Sequence, residues 1–218
     1  MSALAAYADR DIPSQRFWQS WLYWLLPALA GLALTFIYLS PFIGDWDGLD
    51  YTVASIHGEP SSMALGRALF TLTNHALYLI AHKLVGVPPE HAYLIFKFTV
   101  VAQVPLAIIA VWFLARDLTG SSESATVAAL LVALSPMIVI YGGQVMTDVP
   151  SVFLSATALA IHLRGLQSKR TALIFAGAIV LGLAVNMRET AGLYFTWLAF
   201  KAASYPSTPA LMRSSFSA

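Results

Sequence analysis

From Leu22 to Ile43 the chain carries no Asp, Glu, Lys or Arg. A run of that length can cross a hydrocarbon core about 30 Å thick. Similar stretches follow at Ala92–Ala115, Ala125–Tyr141, Val149–Leu163, Thr171–Met187 and Ala191–Ala203. No water-soluble domain could bury so many of them at once. Charged residues make up only 11% of the 218-residue chain, against roughly 25% in an ordinary globular domain. The expected fold is all-α: a polytopic membrane bundle of about six transmembrane helices. The first run is longer than a signal-peptide core and has no small-residue cleavage pattern after it, so it is expected to stay as an anchor. A net charge of +1 gives no polyanion-binding surface, which argues against nucleic acid as a partner. The absence of cysteine excludes disulfides and thiolate metal sites.

One helix decides the topology. Ser62–Val85 is long enough to span, yet Arg67, Thr71, Asn74, Tyr78 and His82 recur at three- and four-residue steps and make a polar stripe. Such a helix can lie in the membrane interface. If it lies flat, Arg10, Arg16, Arg116, Arg164, Lys169 and Arg170 all fall on the cytoplasmic side, as basic loop residues prefer, and Arg67, Lys83 and Arg188 lie outside. If it crosses, four of those basic residues are translocated. The flat arrangement is the expectation. It divides the chain into a cytoplasmic tail (1–21), a membrane domain (22–203) with an outer loop and interfacial helix (44–91), and a Ser- and Pro-rich tail (204–218) expected to be disordered. The protein is expected to be multi-pass in a bacterial plasma membrane, with its amino terminus in the cytoplasm.

The flat arrangement also puts three separate polar groups on the outer face. These are the acidic cluster Asp45, Asp47 and Asp50, then Asp148, then the adjacent Arg188 and Glu189. Ionisable groups at a membrane surface pocket are disproportionately functional. Each has a plainer reading. The cluster could be a solvated loop, Asp148 could cap the helix that contains Pro150, and Arg188 could simply pair with Glu189. The five histidines show no metal-ligand spacing, and Trp21, Trp24, Tyr141 and Trp197 suit interface anchors.

The order of these features resembles the amino-terminal half of the GT-C glycosyltransferases, which include protein O-mannosyltransferases and lipid A aminoarabinose transferases. The resemblance is carried by Asp45-Trp46-Asp47 with Asp50-Tyr51, by Gly66-Arg67, by the run from Leu114 to Gly120, by Leu134-Ser135-Pro136, by Thr147-Asp148-Val149-Pro150, and by Gly182-Leu183-Ala184 leading to Arg188-Glu189-Thr190. It implies an enzyme that moves a sugar from a polyprenyl-phosphate donor to a lipid, glycan or protein acceptor. It further implies Asp47 as the base toward the acceptor, with Asp45 and Asp50 as rivals. Arg188 is then the donor-phosphate ligand, and Asp148, Glu189 and Arg67 complete the substrate site. No cofactor is certain, and a divalent metal is compatible. Because only half of such an enzyme is matched, the chain is expected to be truncated or completed by another chain.

The chemistry stands on its own terms. A base must take the acceptor proton as the sugar carbon becomes cationic, and a planar guanidinium suits the departing phosphate. The lipid tail of the donor explains the membrane setting. Two other classes fit less well. A transporter would carry ionisable groups at mid-bilayer depth, whereas Lys97 is the clear exception in otherwise uncharged spans. A non-catalytic scaffold or remnant would need no meeting of the outer polar groups. In intact cells, cysteine placed at Ser55 or Gln144 is expected to react with an impermeant reagent from outside, and cysteine at Ser122 or Ser168 is not. Outside labelling at Ser122 would mean that the striped helix crosses.

Overall fold

The computed structural model describes residues 13–62, 67–194 and 196. All regular structure among them is helical: α1 Pro13–Ile37, α2 Trp46–His57, α3 Ala68–Val85, α4 Ala92–Thr119, α5 Ser122–Ala133, α6 Pro136–Tyr141, α7 Asp148–Ser168 and α8 Thr171–Met187. Short 3₁₀ turns stand at Pro89–His91 and Glu189–Leu193. The expected tail from Ser204 on, most of the sixth expected span, and Gly66 lie outside the described residues.

Two segments, Pro89–Thr119 and Asp148–Ser168, are long and apolar enough to cross a membrane by themselves. Trp21–Ile37, Ser122–Ala133 and Thr171–Met187 are shorter apolar helices. The expected span Ala125–Tyr141 is two helices rather than one. α5 stops at Ala133, and Ser135 caps α6: its side chain accepts from the Ile138 N–H while Pro136 opens α6 at a position that needs no donor. Large apolar side chains stay exposed along the bundle, among them Leu26 and Leu29 on α1, Leu131 on α5, and Phe175 and Ile179 on α8. In water such a surface would associate. In lipid it is the ordinary exterior.

The helices approach closely because small residues meet. A side-chain carbon added at Gly31 of α1 would run into Ile108 and Ala133, so α1 lies tight against α4 and α5. The α7–α8 pair is closer still. At Gly177 a Cβ would stand 2.8 Å from the Cβ of His162 and 2.9 Å from the Ala158 carbonyl, and at Gly165 it would stand 2.8 Å from the Ile174 nitrogen. Lipid supplies no hydrophobic drive for helices to associate, so dispersion across such small-residue contacts must do it.

Polar links fix which ends lie together. At one end Thr126 donates to the Tyr23 carbonyl at 2.9 Å, and Arg164 of α7 forks onto Asp117 of α4 with Nε at 2.5 Å and Nη2 at 3.4 Å. At the other end the Gly44 N–H donates to Gln144 at 3.4 Å. There the buried Lys97 donates to the carbonyls of Ser40 and Phe42 at 2.5 and 2.8 Å. The one charge expected inside a span therefore sits near the start of α4 and fixes the segment that leads into α2. Both ends of α3 are tied to this same end, through Arg67 to Glu189 and through Pro89–His91 to the start of α4. The helix lies across the bundle end. Its polar stripe is turned inward, with Thr71, Asn74 and Tyr78 buried, while Leu72, Ile80 and Leu84 are exposed.

Gly177→Leu is expected to destabilise the bundle by about 1–3 kcal/mol through overpacking of α7 on α8. Thermal unfolding in detergent measures it. An unchanged midpoint would mean that the two helices can separate without loss.

Candidate functional site

The loop after α1 turns directly into α2 because Asp45 caps it: the Asp45 carboxylate accepts the Asp47 N–H at 3.3 Å. Capping puts Asp47 in the first helical turn, with Asp50 and Tyr51 one turn further on. Gly58 ends α2 in the left-handed conformation, φ 73°, which a residue with a side chain rarely adopts. The chain then folds back so that α3 packs on α2, and Ser61 and Ser62 come to face Asp50. Both hydroxyls donate to the Asp50 carboxylate, Ser62 at 2.7 Å. Burial pushes the Asp50 pKa up, but the two serines and the charge of Arg67 outweigh it and hold the carboxyl below its ordinary value.

Arg67, immediately before α3, is the centre of the arrangement. Its side chain is only 11% exposed. Nη1 lies 3.6 Å from Asp47 and donates to the hydroxyl of the fully buried Tyr51; Nη2 lies 3.4 Å from Glu189. The guanidinium also stands 5.5 Å from the centre of the Tyr51 ring, within cation–π range. Glu189 follows the last residue between α8 and its 3₁₀ turn. The plain pairing of Arg188 with Glu189 does not form: Arg188 pairs instead with Asp148 at the start of α7, and Glu189 pairs with Arg67. With the Arg67–Asp47 pair, these crossed contacts make three ion pairs that join α2, the entrance of α3, α7 and the end of α8.

A cavity of about 350 Å³ opens beside the second pair, between α7 and the 3₁₀ turn. Asp148, Ser151, Ser155, Arg188 and Tyr194 are among its walls. A more open depression of about 460 Å³ lies on the other side of Asp45, lined by Ile43, Gly44, Trp46 and Leu49. The expected site residues thus fall into distinct positions. Asp47, Arg67 and Glu189 meet, and Asp148 meets Arg188. Asp45 is engaged in capping, and Asp50 in holding the loop. Tyr51, Ser151 and Ser155 were not singled out from the sequence. Only the spacing of the serines from Asp148, three and seven residues on, could have shown that they share its helix face. Among the described residues no cluster of three or more His, Asp or Glu side chains could hold a metal.

Glu189 has its carboxyl held below the ordinary value near 4.5, first by its own backbone N–H, against burial, and then by Arg67 and Arg188. A lowered folded value means stability that is present above about pH 4.5 and lost as pH falls through the lowered value. Glu189→Gln is therefore expected to lower stability at about pH 7 by up to about 1 kcal/mol, since the side chain is 46% exposed. The deficit should shrink as pH falls below the ordinary value and through the lowered one. Unfolding midpoints at neutral pH and along an acid series test this, and a deficit that persists throughout would assign the effect to packing.

With this geometry in hand, comparison with known proteins gives one result. A family model described as dolichyl-phosphate-mannose-protein mannosyltransferase matches residues 75–215. No curated protein and no solved structure matches. The matched segment includes Asp148, Arg188 and Glu189 but begins after Asp47 and Arg67, which join the site through the tertiary contacts just described. It covers well over half of the chain, and the chain belongs to the dolichyl-phosphate-mannose-protein mannosyltransferase family of membrane glycosyltransferases.

Proposed function

We propose that the chain transfers a sugar from a polyprenyl-phosphate donor to an acceptor, at the end of the bundle where α2, α3 and the start of α7 meet, and that this end faces outward from the cytoplasm. The observation that carries the reading is the convergence of Asp47, Arg67 and Glu189 with the Arg188–Asp148 pair beside a cavity. Those residues are far apart in sequence, and a scaffold would have no need to gather them. The acceptor is a hydroxyl of a lipid, glycan or protein.

In this reading Asp47 takes the acceptor proton. The freed oxygen attacks the anomeric carbon, the bond from that carbon to the phosphate oxygen breaks, and polyprenyl phosphate leaves with the electron pair. Asp47 is suited to this because its side chain is 32% exposed, open to an acceptor while still oriented by Arg67. The surrounding carboxylates favour the positive charge that develops on the sugar. Arg188 receives the phosphate. Its contact with Asp148 uses Nη1, and a guanidinium has five N–H donors, enough to hold a carboxylate and a phosphate together. If a divalent cation takes part, Asp47 and Glu189 are the nearest carboxylates to offer it, and it would compete with Arg67 for both.

Asp47→Asn keeps the size of the side chain and removes its basicity, so transfer from a polyprenyl-phosphate sugar is expected to fall by about 10²–10⁴-fold, with the fold retained and stability lowered by no more than about 1 kcal/mol from the lost pair with Arg67. Arg188→Lys is expected to weaken binding of that donor, and Arg188→Ala to weaken it further, because lysine offers a point charge rather than a fork. Radiolabelled transfer and donor binding in detergent check both. Full transfer by Asp47→Asn with loss in Asp50→Asn would move the base along α2. Equal donor affinity across the Arg188 series would remove that residue from the site.

A further inference from the structure

The cavity under Arg188 has a polar wall that the ion pairs do not account for. Asp148, Ser151 and Ser155 all line it. They sit at positions i, i+3 and i+7 of α7, so they form one column along a helix face. At 1.5 Å of rise per residue the column reaches about 10 Å down the helix from Asp148. Ser151 and Ser155 are 6% and 3% exposed.

Ser155 differs from several hydroxyls on the helices. A serine or threonine in an apolar helix usually donates back to the carbonyl four residues earlier. Thr99 does so to Ile95, Thr119 to Ala115, Thr126 to Ser122 and Ser168 to Arg164, at 2.6–2.8 Å. The Ser155 hydroxyl makes no such bond and has no hydrogen-bond partner, although it is buried. A buried hydroxyl without a partner is destabilising. A ligand in the cavity would supply the partner. Across from the column stand Met137, Thr190, Leu193 and Tyr194, and the charged side chains lining the cavity are Asp148 and Arg188. The pocket therefore suits an uncharged, hydroxylated group at its deep end and an anion at its mouth. At about 350 Å³ it is near the small end of ligand sites, which run from about 300 to 1,000 Å³.

We infer that Ser155, with Ser151 one turn above it, hydrogen-bonds the hydroxyls of the sugar whose phosphate is held at Arg188, and so sets which lipid-linked sugar is accepted. This rests on the donor reading given above. It adds that the sugar is neutral on the side that enters the cavity, and that recognition is made by α7 below the ion pair rather than by the carboxylates of α2. An amino sugar, cationic at neutral pH, would place an unpaired charge there.

The test measures binding of polyprenyl phosphate and of polyprenyl-phosphate hexose to the full chain in detergent, for wild type, Ser155→Ala, Ser155→Val and Arg188→Ala. Wild type is expected to bind the hexose-bearing lipid more tightly than the bare one. Ser155→Ala should lower affinity for the hexose-bearing lipid about 3–10-fold, the worth of one or two hydrogen bonds, and leave the bare lipid unaffected. Its unfolding midpoint should not fall, since no protein hydrogen bond is lost. Ser155→Val, which adds bulk where the hydroxyl stood, should reduce hexose-lipid binding further. Arg188→Ala should weaken both lipids. Equal affinity of Ser155→Ala and wild type for the hexose-bearing lipid overturns the assignment while the donor reading stands. An equal loss for both lipids also overturns it, by giving Ser155 a general packing role. Failure of wild type to bind either lipid overturns the donor reading and this inference with it.

Discussion

The guanidinium of Arg67 is the contact on which the site depends. It stands against the carboxylates of Asp47 and Glu189 and the hydroxyl of Tyr51, and its charge reaches Asp50 as well. Three of these groups belong to the first half of α2, one to the turn after α8, and the arginine itself to the entrance of α3. Taken singly, ion pairs near a surface contribute about 0–1 kcal/mol. Here one partly buried cation serves several partners at once, and withdrawing it would leave the carboxylates facing one another. The consequence is geometric more than energetic: α3 has to lie across the bundle end for Arg67 to reach Glu189.

Around that centre the rest of the fold works as a rigid support. Lys97 holds the carbonyls of Ser40 and Phe42, which fixes where the chain enters α2 and thereby where Asp47 points. Gly165 and Gly177 let α7 and α8 approach until backbone nearly touches backbone, and this sets Arg188, at the end of α8, beside Asp148, at the start of α7. The far end is locked by Arg164 on Asp117. Small-residue packing within the bundle and ion pairs at its ends divide the work as a membrane requires, because charges are costly in hydrocarbon and apolar contacts gain little there from leaving lipid.

The polar stripe on α3 shows how a correct pattern can leave its meaning open. Periodicity identified Arg67, Thr71, Asn74, Tyr78 and His82 as sharing a face, and an interfacial helix with its apolar side toward lipid agrees with the exposed Leu72, Ile80 and Leu84. Periodicity does not say what the polar face meets. Thr71, Asn74 and Tyr78 prove to be buried against the protein while His82 is exposed, so the middle of the stripe is packed rather than solvated. The Arg188–Glu189 neighbours teach the same lesson in reverse. Adjacent opposite charges suggest a local pair, yet a residue after the end of a helix and the next one in a 3₁₀ turn point in different directions, and each finds a partner from a distant segment.

Length, charge poverty and the spacing of apolar runs determined by themselves that this chain is a helical membrane bundle, since only helices can satisfy their own backbone over such lengths in lipid. The positions of basic residues determined that the Asp45–Asp50 cluster, Asp148 and Arg188 share one face, because loop charge governs which ends are translocated. Tertiary structure decided the rest. It selected Asp47 over Asp45 and Asp50 as the carboxylate against Arg67, by giving the first rival a helix to cap and the second two serines to hold. It divided the third apolar run between Ala133 and Pro136, brought Ser151 and Ser155 to the wall of a cavity, and made Arg67 the meeting point of three segments. Sequence spacing reports which residues share a helix face within one element, whereas distances between elements depend on how closely their surfaces can pack, and that is settled only when all of them are in place.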